Sequence, residues 1–170
     1  EEEGTYVLPE AQMDRFLMKE VLTYPSPADE ADILERVASG AFERRIKHPP
    51  ISIRDVMWLQ EAVNAVYVAP VIRQYIVALV GTTRGSGPRP VAGIERHVRV
   101  GASPRGAIAL MKVAQSIALQ DGRGYVPPDD VRLLRHPVLR HRLVLTYDAL
   151  ADDVAPESII DAVFQAVPTP

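Results

Sequence analysis

The chain has 170 residues, with 22 acidic and 19 basic side chains and a formal charge of −3, which gives no general electrostatic attraction to nucleic acid or anionic membrane. It contains no cysteine, so disulfide frameworks and thiolate metal sites are excluded. With 47% hydrophobic but only 6% aromatic residues, the interior is expected to be aliphatic and the class helix-rich.

The first residues, EEEGTYVLPE, carry neither an initiator Met nor a signal-peptide pattern, so a piece of a larger cytoplasmic protein is expected. PEAQMDRF predicts a short helix, with Pro9 at a permissive N-terminal position and Glu10 at the positive dipole end. LMKEVLTYP clusters β-branched and aromatic residues and stops at Pro25, which predicts a short strand. Helix followed by strand suggests the trailing edge of an α/β core.

From Ser26 the pattern becomes helical. SPADEADILERVAS has Ser26 as N-cap, Pro27 in the first turn, acidic residues after it and an apolar stripe at Ile33, Leu34 and Val37. After the basic link ERRIKHPPIS, the segment SIRDVMWLQEAVNAV pairs Ser52 with Asp55 in a capping box, and Val56, Leu59, Val63 and Val66 recur at helical spacing. A further helix is predicted from Ala69 to Thr83, with Pro70 in its first turn. Its surroundings, YVAPVIRQYIVALVG, form the most apolar run, yet they contain Arg73 and Gln74 and fall short of the ~20 residues of a membrane span.

Residues Arg84 to Val100 read as a long loop bearing Arg84, Arg89, Arg96, His97 and Arg99. A solvated insertion is preferred there over a partner-binding or anion-binding loop. The helix predicted from Ser103 to Gln120 is apolar around much of its circumference and therefore central, and Gly122 closes it. VPPDDVRLLRHPVLRHRL is helical but broken at Pro137, with Val138, Leu139 and Leu143 assigned to the core and Arg132, Arg135, Arg140 and Arg142 to the surface. RLVLT predicts a short strand and PESIIDAVFQAVP a final amphipathic helix.

Several chemistries are missing. His48, His97, His136 and His141 lack metal-ligand spacing, so no metal site is expected. GASPRG differs from the hydrolase motif GxSxG by Arg105 at its last glycine, and neither GxGxxG nor GxxxxGK[ST] occurs. One residue is locally out of place: Arg105 lies in the first turn of its helix, where a cation forgoes the ~0.3–1 kcal/mol an acidic residue would gain. It requires an acidic neighbour, water or a bound anion.

GTYVLPEAQMDRFLMKEVLTYPS resembles the stretch that closes the ATPase core of MoxR-type AAA+ proteins. VGASPRGAIALMKVAQSIALQDGRGYVPPDDV and PVLRHRLVL are similar to the lid of the same family. The resemblance implies a mainly α fold: a helical AAA+ lid domain, residues 26–170, preceded in residues 1–25 by a short helix-strand remnant of the α/β core. It also implies that Arg15, in DRF, is an arginine finger acting in trans on a neighbouring subunit's ATP. Arg105, in SPR, matches the second sensor, which touches the phosphate of its own subunit's nucleotide. Two departures are Val7, where the family usually has proline, and the long loop at residues 84–100.

By the same resemblance, the intact protein would bind and hydrolyse ATP with Mg, assemble into a hexameric ring, and remodel or insert metal into partners such as von Willebrand factor A domain proteins. ATP and Mg would be held through the missing core, so the chain alone is expected to bind no cofactor and to be inactive. No membrane association is expected, and nucleic-acid binding is disfavoured. Two alternatives stand beside this reading. One is a helical regulatory or protein-interaction domain without nucleotide, and the other a helical nucleic-acid binder using residues 132–142.

Overall fold

The computed structural model describes residues 8–41 and 51–170. Val7, His48 and most of the basic link, residues 43–50, lie outside the described residues. The chain divides into two units, Glu20–Gln60 and Glu1–Lys19 with Glu61–Pro170.

In the smaller unit, helix α2 spans Pro27–Ala38 and starts with the predicted capping box. The Ser26 Oγ accepts from the Asp29 N–H at 3.2 Å, and the Asp29 carboxylate accepts from the Ser26 N–H at 3.2 Å and from its hydroxyl at 2.6 Å. Helix α3, Ile53–Ala65, begins within this unit with the same device: the Asp55 carboxylate accepts from Ser52 N–H at 2.8 Å and from its hydroxyl at 2.7 Å. The serine hydroxyl bonds, with the backbone bonds second, hold both aspartates below the usual carboxylate range. Neither helix buries a residue, so the predicted stripes at Ile33, Leu34, Val37, Val56 and Leu59 form but stay exposed.

In the larger unit, α1 (Glu10–Met13) is a single turn. The strand expected after it is not formed: residues 18–25 pair with no strand among the described residues. A strand exists only through a neighbour that accepts its ladder bonds, and the bond recorded here from this run is Lys19 N–H to the Pro137 carbonyl at 2.8 Å. The core is built instead by α4 (Pro70–Thr82), α6 (Pro104–Gln120) and α10 (Pro156–Ala166). Leu79, Val80, Leu110, Ala114, Ala118, Ile160 and Val163 are all buried there, and α6 is central as its apolar circumference predicts. Gly122, at φ 70°, takes the left-handed conformation that ends α6.

The predicted loop at residues 84–100 is shorter than expected, because it ends in α5 (Ile94–His97) and β1 (Val98–Val100). After α7 (Pro128–Leu133) and α8 (Arg135–Leu139), strand β2 (Val144–Leu145) pairs antiparallel with β1, setting Val98 opposite Leu145 and Val100 opposite Val144. Helix α9 (Tyr147–Ala151) leads to α10. Much of the loop's charge is paired: Arg96 and His97 reach Asp152 at 2.9 and 3.0 Å, and Arg99 reaches Glu10 at 2.5 Å.

Gly101 fixes how β1 hands the chain to α6. A Cβ there would sit 2.3 Å from the Thr83 carbonyl oxygen, a backbone atom that cannot swing aside, so only glycine permits this approach. The next residue is tied to the same place, since the Ala102 N–H donates to the Thr83 hydroxyl at 3.0 Å, and that hydroxyl donates to the Val80 carbonyl at 2.7 Å.

Candidate functional site

The start of α6 lies against the turn that follows α1. Ser103 is the N-cap, its Oγ accepting from the Arg105 N–H at 3.1 Å and donating to Asp14 Oδ2 at 2.8 Å. No acidic residue occupies the first turn of α6. Arg105 itself is 58% exposed, and its Nη1 stands 3.5 Å from Asp14 Oδ2. That distance is at the limit of a hydrogen bond, and an exposed pair of this kind contributes about 0–1 kcal/mol. Arg105 is therefore weakly held and open to a stronger anion.

Asp14 is the junction of the site. Its Oδ2 faces Ser103 and Arg105, while Oδ1 stands 3.3 Å from Arg142 Nε. The Arg142 side chain is only 2% exposed, which corrects its assignment to the surface. Its Nη2 donates to the carbonyls of Asp14 at 3.3 Å and Phe16 at 2.5 Å. Its Nη1 donates to the Leu17 carbonyl at 3.2 Å and also to that of Val138. Burial pushes the guanidinium below its ordinary value, opposed by the charge of Asp14; a guanidinium remains cationic all the same, so the carbonyl acceptors replace the water lost by Nη1 and Nη2, while Nε faces Asp14 Oδ1 without a hydrogen bond.

His141 completes the cluster. Its Nε2 lies 3.1 Å from the Phe16 carbonyl and 2.8 Å from Arg142 Nη1. Burial lowers its pKa from the ordinary value, so near neutral pH the ring adds no second positive charge beside Arg142. Asp14, Ser103, His141 and Arg142 border a cleft of about 490 Å³, lined also by Leu8, Met13, Val100 and Leu143.

Arg15, next to Asp14, is exposed in the turn after α1, with its N–H bonded to the Gln12 carbonyl at 3.1 Å. Among the described residues its guanidinium makes no ion pair or side-chain hydrogen bond. Of the two arginines singled out from the sequence, Arg105 contacts the Asp14 carboxylate, whereas Arg15 is related to Asp14 only as its neighbour in the chain. The sequence reading missed both Asp14 and Arg142. Asp14 was one more acidic residue in a first short helix, and Arg142 one of several in a basic run.

The other arginines of that run are committed to internal partners. Arg132 reaches the Tyr75 hydroxyl, the Phe164 carbonyl and Thr169, while Arg135 lies 2.6 Å from Asp161 and Arg140 3.0 Å from Glu157. This leaves little of the run to grip a phosphodiester backbone. Among the described residues no group of three His, Asp or Glu side chains is arranged to hold a metal, and no helix is long and apolar enough to cross a membrane.

Comparison with known proteins gives a consistent family. Residues 92–163 match the AAA lid domain family. Chaperone MoxR1 of Mycobacterium tuberculosis is 43% identical over 170 residues, an alignment that covers all of this chain and 44% of that protein. The uncharacterized protein YeaC of Bacillus subtilis is 39% identical over all of this chain and 50% of its own length. Protein MoxR of Paracoccus denitrificans is 30% identical over 187 residues, covering 53% of its length. A crystal structure of a candidate ATPase from Cytophaga hutchinsonii superimposes with a TM-score of 0.86 at 32% identity, covering all of this chain and 51% of that one. The chain therefore spans about half the length of the curated relatives it matches.

Proposed function

We propose that this chain, which belongs to the MoxR-type AAA+ proteins, supplies two arginines to ATP hydrolysis in an assembled ring: Arg105 to the nucleotide of its own subunit and Arg15 to that of a neighbour. Residues 26–170 are read as the lid and residues 1–25 as the end of the nucleotide-binding core. The observation that carries the proposal is Arg105, a cation in the first turn of a 17-residue helix with no acidic residue there and only a 3.5 Å contact to Asp14.

A phosphate fits that arrangement. A guanidinium donates to phosphate through paired, charge-assisted bonds worth about 1.5–3 kcal/mol, more than the ~0–1 kcal/mol of an exposed pair. Arg105 would leave Asp14 for the nucleotide, drawing the start of α6 with it. Bound ATP and Mg supply the phosphoryl group that water attacks and the charge that accompanies it. On this chain, Arg105 orients the phosphate and couples the lid to it. Arg15, free of internal partners among the described residues, extends a charge to the transition state in the adjoining subunit.

By likeness to the MoxR proteins, one of which is named a chaperone, the cycle would drive remodelling of partner proteins in the cytoplasm. Von Willebrand factor A domain proteins and metal insertion are the partner and task implied by the family resemblance. The decisive test is steady-state ATP turnover by the chain joined to its nucleotide-binding core. Arg15→Ala should lower kcat by about 10³-fold or more, and Arg105→Ala should weaken the coupling of nucleotide binding to lid closure. Wild-type turnover by both variants would refute the reading and favour a helical interaction domain without nucleotide.

A further inference from the structure

We propose that Arg142 and Asp14 are positioning residues for Arg15, forming a mount that fixes the turn from which its guanidinium projects. The inference rests on the reading of Arg15 as a finger. The carbonyls on either side of Arg15, those of Asp14 and Phe16, both accept from Nη2 of Arg142, and the Leu17 carbonyl accepts from Nη1. One planar side chain therefore holds the backbone before and after Arg15.

Among the described residues the turn contributes no fully buried apolar side chain to hold it instead. Phe16 and Leu17 are 54% and 53% exposed, and a segment with so little buried contact ordinarily opens at low cost. Its own bonds are short-range: Arg15 N–H to the Gln12 carbonyl and Phe16 N–H to the Met13 carbonyl, both at 3.1 Å. The long-range restraint comes from Arg142 and from His141, whose Nε2 lies 3.1 Å from the Phe16 carbonyl, reinforced by the Asp14 carboxylate between Arg142 Nε and the Ser103 hydroxyl. Lys19 N–H closes the far end on the Pro137 carbonyl at 2.8 Å.

Lysine cannot reproduce this mount, because a single ammonium lacks the rigid fork that reaches three carbonyls at once. A displacement of about 1 Å at a catalytic group costs on the order of a hundredfold in rate, so a loosened turn would reduce turnover even with Arg15 present.

The test compares Arg142→Lys, Asp14→Asn and Arg15→Ala in the ring-forming protein that carries the nucleotide-binding core. Arg142→Lys should lower kcat about a hundredfold with KM for ATP unchanged, and should speed amide hydrogen exchange at residues 15–17 while exchange in α6 stays slow. Asp14→Asn should act in the same direction with a smaller loss. Mixing Arg142→Lys protomers with protomers that keep Arg15 and Arg142 but have an inactivated site of their own should restore turnover, as it should for Arg15→Ala, because the finger acts on the neighbour.

Wild-type turnover by Arg142→Lys beside an impaired Arg15→Ala overturns the mount and leaves the finger reading intact. Rescue of Arg15→Ala but not of Arg142→Lys also overturns it, assigning Arg142 to folding alone. If Arg15→Ala is itself fully active, or is not rescued by mixing, the finger reading falls and the mount with it.

Discussion

Arg142→Met in the 170-residue chain removes the buried cation while roughly preserving side-chain length. It leaves the Asp14 carboxylate without its buried partner and strips a donor from the carbonyls of Asp14, Phe16, Leu17 and Val138. Breaking a buried pair by deleting one partner costs about 3–5 kcal/mol. Asp14 keeps 18% exposure and its bond from Ser103, and the freed turn regains water by lifting away, so the lower end applies, about 3 kcal/mol. For a chain of this size that is a drop in Tm of about 6–12 °C. Urea unfolding followed by circular dichroism reads it as a lower midpoint. A double-mutant cycle with Asp14→Asn should show coupling of about 0.5–3 kcal/mol. A loss below about 1 kcal/mol, the size typical of surface contacts, together with additive behaviour in the cycle, would refute the argument that Arg142 is a buried, carbonyl-bound cation in solution.

Gly101→Ala should destabilise the chain by about 1–3 kcal/mol through overpacking, because the added Cβ meets the Thr83 carbonyl oxygen at 2.3 Å; an unchanged urea midpoint would contradict that approach of β1 to α4. The capping boxes of α2 and α3 predict acid sensitivity. Asp29 and Asp55 are held below the usual carboxylate range by their serines. Their contribution is thus present above the unfolded aspartate value of about 3.9 and lost as pH falls through the lower folded values. Helical circular dichroism should decline in that window, and Ser26→Ala with Ser52→Ala should lower helicity at neutral pH and flatten the decline.

What the sequence disclosed followed the range of the forces involved. Ser26, Ser52 and Gly122 act on residues within one helical turn, and each stands where the caps and stops were expected. The long apolar repeats of α4, α6 and α10 likewise locate themselves. Strands depend on distant partners, so the run at 17–25, rich in strand formers, forms no ladder among the described residues. The unpromising end of a predicted loop becomes β1 because Val144 and Leu145 lie alongside it.

The site divides the same way. Arg105 was conspicuous because a cation conflicts with the dipole of its own helix, a conflict visible within a few residues. Arg142 was not, since its acceptors lie as far as 128 positions away and nothing in RLLRHPVLRHRL distinguishes a buried arginine from an exposed one. Asp14 gains its importance only when α6 and the turn after α1 meet.

The contacts made by Arg142 to residues 14, 16 and 17 are mostly with main-chain oxygens. Every amino acid supplies such an oxygen, so the clamp reads chain length rather than side-chain identity. Replacing the side chain of Phe16 or Leu17 therefore leaves the clamp's acceptors in place, whereas inserting or deleting one residue between Asp14 and Leu17 would shift every acceptor out of register. Related chains should preserve the spacing of this turn.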